Sequence, residues 1–184
     1  MGGGTQAGAR RAVERLRVRG VSGLISFGLA GGLDPALAPG ALIVPRTVVL
    51  GEARWDADPA LIARLGGGTG HVLVGGGGVL ATAAEKAALR RATGADAIDL
   101  ESAAAARSGL PFAVLRAVCD PADRNLPHAA LVALDARGGI GILRVLAATL
   151  AHPGELPALL RLAGDAARGR RALLARVRLI GPLG

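Results

Sequence analysis

The sequence predicts an α/β protein, a central, mostly parallel mixed sheet between helices in a three-layer α/β/α arrangement. Three observations lead there. Short apolar runs alternate with helix signals as far as Asp120, the pattern that produces strands joined by helical crossovers. The runs are almost continuously hydrophobic, as strands covered on both faces are. The 184 residues are 51% hydrophobic and 2% aromatic, which suits one domain, residues 1–184, with a core of Ala, Val, Leu and Ile.

The elements follow in order. Ala9, Ala12, Val13 and Leu16 mark one face of a helix over 7–18, with arginines opposite and Gly20 as its stop. Leu24 to Phe27 is a short buried strand, followed by a glycine-rich loop over 28–40. A second strand spans 41–50, where Pro45 demands an edge, a bulge or a break into two pieces. Asp58 caps a helix that starts at Pro59 and runs to about Leu65. His71 to Val74 is a strand ended by the glycines at 75–78. Thr82 and Glu85 form a capping box for a helix to Thr93, which Gly94 terminates. Strands are expected at 95–98 and 111–118, with a helix at 101–108 between them. Beyond Asp120 the pattern turns helical: about 127–134, 142–151, and a last pair between Pro157 and Leu179.

Composition narrows the class. The net charge is +8, and of 22 basic residues only Lys86 is a lysine. Arginine, alanine and glycine richness reads as coding bias as much as function, with a slight lean to an anionic partner. The single cysteine, Cys119, excludes an internal disulfide and a cysteine zinc site, and His71, His128 and His152 lack metal spacing. No apolar run reaches the ~20 residues that span a bilayer, and residues 1–8 have no apolar signal core, so a cytoplasmic protein is expected. No Lys-Ser/Thr follows the glycines at 75–78, which excludes a P-loop, and GxSxG is absent. A nucleic-acid module is disfavoured by the scarcity of aromatics for base stacking.

Ligands on such sheets bind beyond the carboxyl ends of the strands, so the segments after Phe27, Ile98 and Val118 matter most. Phe27-Gly28-Leu29-Ala30-Gly31-Gly32 brings backbone close to a ligand, or is a plain tight turn. In Asp99-Leu100-Glu101, an ionised Glu101 offers acceptors for a sugar diol, or merely complements a helix dipole; Asp99 is expected in that second role or on the surface. Asp120 ends the most hydrophobic strand. Desolvation there raises its pKa and suits it to general-acid work; the alternative is a turn cap before Pro121. The basic segment at about 155–184 carries six arginines from Arg161 to Arg178, interleaved with leucines: a solvated face on a packed helix, or an amphipathic helix on an anionic membrane.

In this order and spacing, the three segments resemble a known family. ISFGLAGGLDPALAPGALIVP (25–45) is similar to the glycine-rich segment of the purine/uridine phosphorylase and methylthioadenosine/adenosylhomocysteine nucleosidase superfamily. AIDLESAAAA (97–106) resembles its ribose-binding segment, and LRAVCDPAD (115–123) its strand ending in Ser-Asp. HPGELPALLRLAGDA resembles the hopanoid-associated branch, and the likeness covers roughly 2–168.

The resemblance implies cleavage of a purine–ribose N-glycosidic bond, with adenosylhopane giving ribosylhopane and adenine. A general methylthioadenosine/adenosylhomocysteine nucleosidase and a non-catalytic nucleoside-binding remnant are the alternatives. By position, Asp120 would protonate or hydrogen-bond the purine at N7. Glu101 would bind the ribose hydroxyls, with Leu100 on the sugar. Phe27, Gly28, Leu29 and Ala30 would line the sugar and nucleophile side, and Cys119, Val79 and Leu80 would lie near the base. Gly4 and Arg46 are the phosphate candidates, Arg116 being read as structural. No cofactor is implied beyond phosphate or water as co-substrate, and a homodimer is expected. Three departures stand out. Cys119 replaces the family's Ser, and Leu29 sits where relatives often have Ser or Thr. The chain begins at the loop matched by Gly2–Gly4, so the family's first strand is expected to be lacking.

Overall fold

The computed structural model describes residues 5–133 and 153–181. In order these form α1 (Gln6–Val18), β1 (Leu24–Gly32), β2 (Leu42–Ile43), β3 (Thr47–Leu50), β4 (Ala53–Asp56), α2 (Pro59–Arg64), β5 (Val72–Val74) and α3 (Ala83–Thr93). Then come β6 (Ala97–Ile98), α4 (Ser102–Ala106), β7 (Phe112–Asp120), α5 (His128–Ala133), a 3-10 turn (Pro153–Glu155) and α6 (Leu156–Ile180). The helix expected at 142–151 lies outside the described residues, as does Gly4.

The helix ends obey their signals. Thr5 accepts from Gly8 N at the start of α1, and Asp58 accepts from Leu61 N at 2.9 Å at the start of α2. Thr82 and Glu85 close a reciprocal capping box on α3, and Gly94 ends that helix at φ +67°.

The seven strands form one mixed sheet in the order β2-β7-β1-β6-β5-β3-β4. β1–β7, β3–β5 and β5–β6 pair in parallel, while β2–β7, β1–β6 and β3–β4 pair antiparallel. Chain connectivity dictates its curvature. β2 and β3 stand first and sixth, which in a flat sheet is about 24 Å apart. Only Val44, Pro45 and Arg46 separate them, a reach of about 14 Å. The sheet therefore curls into a half-barrel, and Pro45 marks the break between the two pieces.

Side-chain alternation assigns the layers. Phe112, Val114 and Val118 of β7 share an apolar cluster with Ala105 and Ala106 of α4. Ala113, Leu115 and Ala117 share another with Leu173 of α6. Leu89 of α3 packs on Val49, Val72, Val74 and Ile98, whereas Val48 and Leu73 belong to the α4-side cluster. Thus α4 covers one face and α3 and α6 the other.

Three expectations are corrected. The glycine-rich run continues β1 to Gly32 rather than opening a loop at Gly28, because Gly31 and Gly32 are held by β6 and Gly31 also by β7. The expected pair of C-terminal helices is one 25-residue helix. Its Gly169 is not a break but a close-packing point: a Cβ there would lie 2.9 Å from Leu29 Cδ2 and 3.3 Å from Val118 O. β4 was not anticipated; it returns from β3 through Gly51-Glu52, with Gly51 at φ +59°.

Candidate active site

Two groups of ionisable side chains stand on this part of the sheet, one beside the middle of β1 and β7 just past the end of β6, the other at the carboxyl end of β7. The first is built on Arg116, which is 2% exposed in the middle of β7. Its Nε meets Asp99 Oδ2, and its Nη2 donates to Ser26 Oγ at 2.7 Å and to Ser102 Oγ at 3.2 Å. Glu101 Oε2 lies 3.8 Å from the same nitrogen. Asp99 also accepts from Ser102 Oγ and, at 3.0 Å, from Ser102 N, which starts α4. Asp99 is 6% exposed, so it is a buried counter-ion as well as a helix cap, and not a surface residue.

Gly28 belongs to this group for a steric reason. It is the register partner of Arg116, and a Cβ there would collide with Arg116 Nη1. The guanidinium is held from three sides and has nowhere to swing. Gly28→Ala is expected to cost about 1–3 kcal/mol, the usual range for overpacking. Urea unfolding measures it, and a midpoint equal to wild type would show that the guanidinium moves freely.

The second group is built on Asp120. Ala30 pairs with Val118 but Gly31 pairs with Asp120, so Cys119 is an extra residue, a β-bulge. Bulges re-aim side chains. Simple alternation would put Asp120 on the α4 face with Val118. Instead its carboxylate turns to the opposite face, where Lys86 Nζ of α3 lies 2.8 Å from Oδ2. Lys86 is 1% exposed and donates also to Pro121 O and Arg124 O, both at 2.9 Å. Burial pushes the Asp120 carboxyl above the ordinary 3.8, against the opposing pull of Lys86 and Arg124 and with a further push from Asp165. Burial, with Asp120 and Asp165 nearby, also pushes the Cys119 thiol up to about 11, so it is no thiolate at neutral pH.

Asp120 lines a cleft of about 330 Å³ between the 120–127 segment and α6, with Arg124, Leu126, Arg161, Leu162 and Asp165. Asp165 is buried and accepts from Arg124 Nη1 at 2.6 Å and from Arg168. The segment before α3 borders the cleft: Leu126 N donates to Ala81 O and Ala83 N to Asn125 Oδ1.

The sequence-named residues divide between these groups. Glu101 is not among the residues lining the Asp120 cleft; its carboxylate lies by Arg116, whose group belongs to the α4 face, opposite the face that the Asp120 carboxylate takes. The two residues are joined through Gly31, which pairs with Ile98 on one side and Asp120 on the other. Two strand spacings, roughly 10 Å, therefore separate Asp120 from the point where the Leu100–Glu101 turn leaves the sheet. Gly28 and Ala30 share the α4 face, Ala30 being buried in its cluster. Phe27 and Leu29 share the other face, so the four do not form one wall. Phe27 is 45% exposed, and Leu29 packs with the α6-side cluster near Gly169. Leu80 packs on the cluster under α3, and Val79 is exposed. Arg46 is an exposed residue of the β2–β3 connection; its backbone bonds His71 O and Ala57 N. Sequence reasoning missed Lys86 and Asp165 as site residues. The signal for Lys86 was its being the only lysine; for Asp165, its place as an acid in an arginine-rich helix.

The chain belongs to the phosphorylase superfamily: the model of that family matches residues 1–151. Solved structures share the fold. One is a 5′-methylthioadenosine/S-adenosylhomocysteine nucleosidase from Colwellia psychrerythraea in complex with adenine, with TM-score 0.62 and 20% identity over 70% of this chain and 66% of that one. Another is an S-adenosylhomocysteine nucleosidase from Streptococcus pyogenes in complex with 5-methylthiotubericidin, with TM-score 0.66 and 17% identity over 98% and 78%. A futalosine hydrolase mutant from Helicobacter pylori has TM-score 0.56 and 18% identity over 62% and 66%. The chain thus spans 66% of the length of the first and last of these. No curated protein matches it in sequence. Among the described residues, no helix is long and apolar enough to cross a membrane, and no group of three or more His, Cys, Asp or Glu could hold a metal ion.

Proposed function

We propose that the chain cleaves the N-glycosidic bond of a purine nucleoside, with Asp120 as the general acid. The observation that carries this reading is the Asp120 carboxyl itself, turned by a bulge to the lip of a cleft and held by burial above its ordinary pKa. An acid so placed gives its proton to the purine at N7. The C1′–N9 bond breaks with its electron pair moving to the base, and an oxygen of phosphate, or of water that gives up a proton to solvent, bonds C1′; Asp120 regains its proton from solvent. No cofactor enters the reaction. Fixed charges in a desolvated setting lower the barrier by orientation and charge stabilisation. Glu101, whose Oε2 lies 3.8 Å from Arg116 Nη2, is the group assigned to the ribose hydroxyls.

Within this reading the substrate is an adenine nucleoside with a large apolar 5′ group, as in the conversion of adenosylhopane to ribosylhopane by a homodimer in the cytoplasm. The outward side of α6 supports a lipid-linked substrate: Leu160, Leu174 and Leu179 are exposed there among Arg170, Arg171 and Arg178, a pattern suited to an anionic bilayer surface. The test is release of adenine, followed by chromatography, from adenosylhopane and from methylthioadenosine, each with and without phosphate. Release from the first alone supports the lipid-linked substrate. Release from the second alone replaces it with the general nucleosidase, and binding without release removes catalysis.

Glu101→Gln is expected to lower kcat/KM about tenfold or more on a ribonucleoside, the scale of a hydrogen bond to a charged group. A 2′-deoxy substrate should show little of that loss. Equal losses on both substrates would take Glu101 off the sugar.

A further inference from the structure

A lysine is the least expected side chain at position 86. The chain uses lysine once among 22 basic residues. The site lies in the first turn of α3, where the helix dipole disfavours a cation, and the side chain is 1% exposed. Burying an ammonium is costly unless every donor finds a partner. Here the three N–H donors meet three acceptors: Asp120 Oδ2 at 2.8 Å, Pro121 O at 2.9 Å and Arg124 O at 2.9 Å. These acceptors surround one point. A planar guanidinium fork does not reproduce that geometry, which explains a lysine in an arginine-rich chain.

Resting on the reading of Asp120 as the acid, we propose that Lys86 is its positioning residue. It fixes the carboxyl and the 121–124 turn as one unit and stabilises the carboxylate left when the proton has passed to the base. The proton goes from Asp120 to the purine and Lys86 keeps its own, so no other reactant is needed. The other charged groups around Asp120 are Asp123 and Arg124 from the following turn and Arg161 and Asp165 from α6; Arg124 and Asp165 pair with each other. Lys86 is therefore the cation committed to Asp120.

The test compares Lys86→Met, which keeps the length without charge, with Lys86→Arg, which keeps the charge without the geometry. Folding of each is checked by circular dichroism. The Asp120 carboxyl is titrated by ¹³C NMR, and kcat and KM on a purine nucleoside are followed against pH. In Lys86→Met the Asp120 titration and the alkaline limb of kcat should both move up by about one pH unit or more, as for loss of a nearby opposite charge. Its kcat should fall about tenfold or more with KM little changed, and Lys86→Arg should not restore it. A merely structural lysine would lower thermal stability and leave both titrations in place, and that result overturns the proposal. So does full activity in Lys86→Arg. Should wild type cleave no purine nucleoside, the catalytic reading fails, while the NMR titration still decides whether Lys86 governs Asp120. If Lys86→Met does not fold, Lys86→Gln replaces it in the same titration.

Discussion

Asp120→Asn is expected to lower kcat for purine nucleosides at least about 100-fold with a smaller change in KM. General-acid contributions usually fall between about 10² and 10⁴. Asparagine keeps the shape and can still donate a hydrogen bond, but it has no proton to transfer in this range. The pH profile gives the sharper reading. The group must be protonated to act, and burial places its pKa above 3.8. Wild-type kcat should therefore be flat at low pH and fall as pH rises through that elevated value. In Asp120→Asn this limb should vanish along with most of the rate.

The same elevation bears on stability, and the sign follows from linkage. The native state binds the Asp120 proton more tightly than the unfolded chain does, so this group's contribution is fully present below pH 3.8 and is lost as pH rises through the native pKa. Asparagine removes that dependence but leaves Lys86 without its counter-ion. The orphaned cation is the larger effect, so the variant should also unfold at lower temperature. Turnover must be compared where both proteins are folded; an unchanged kcat there would remove Asp120 from the chemistry.

Much of the fold was legible because local chemistry determined it. Thr82 with Glu85, Asp58 before Pro59 and Gly94 each act within one helical turn, and all behave as read. What was not legible depends on contacts distant in sequence. A glycine run reads as a loop by propensity, yet β6 and β7 recruit Gly31 and Gly32 into the sheet from 65 or more residues away. The segment from Pro157 to Leu179 reads as two helices, yet it is one, and its Gly169 is the point where α6 approaches the backbone of β7. The site shows the same division. Asp120 and Glu101, the proposed acid and sugar carboxylate, could be named from their places after strands. The bulge at Cys119 leaves no trace in the hydrophobic pattern, so neither the face chosen by Asp120 nor its lysine partner was readable. Arg116 was read as structural, but nothing local announced that Asp99, Ser26 and Ser102 all converge on it.

That convergence makes Arg116 the residue whose loss should cost the fold most. Arg116→Met keeps the volume and suits a strand flanked by Val114 and Val118, so the lost charge is the main change. The variant leaves Asp99, 6% exposed, as a buried carboxylate with only Ser102 and backbone amides around it. Removing one partner of a buried ion pair typically costs about 3–5 kcal/mol, far more than an exposed pair is worth. For a chain of this size that lowers the melting temperature on the order of 10 °C. Asp99→Asn alone should also be harmful, because it leaves the buried guanidinium only the longer 3.8 Å contact with the Glu101 carboxylate. The double variant should cost clearly less than the sum of the two, since each half removes the other's orphaned charge. Urea unfolding of the four proteins measures this. Strict additivity, or a single-variant cost below about 1 kcal/mol, would show that the pair is already screened by water. The second readout is sugar recognition. Arg116 Nη2 lies 3.8 Å from Glu101, so the ribonucleoside KM should rise in Arg116→Met even below its melting temperature. In that event the buried pair supports the sheet and the sugar-binding carboxylate through one side chain.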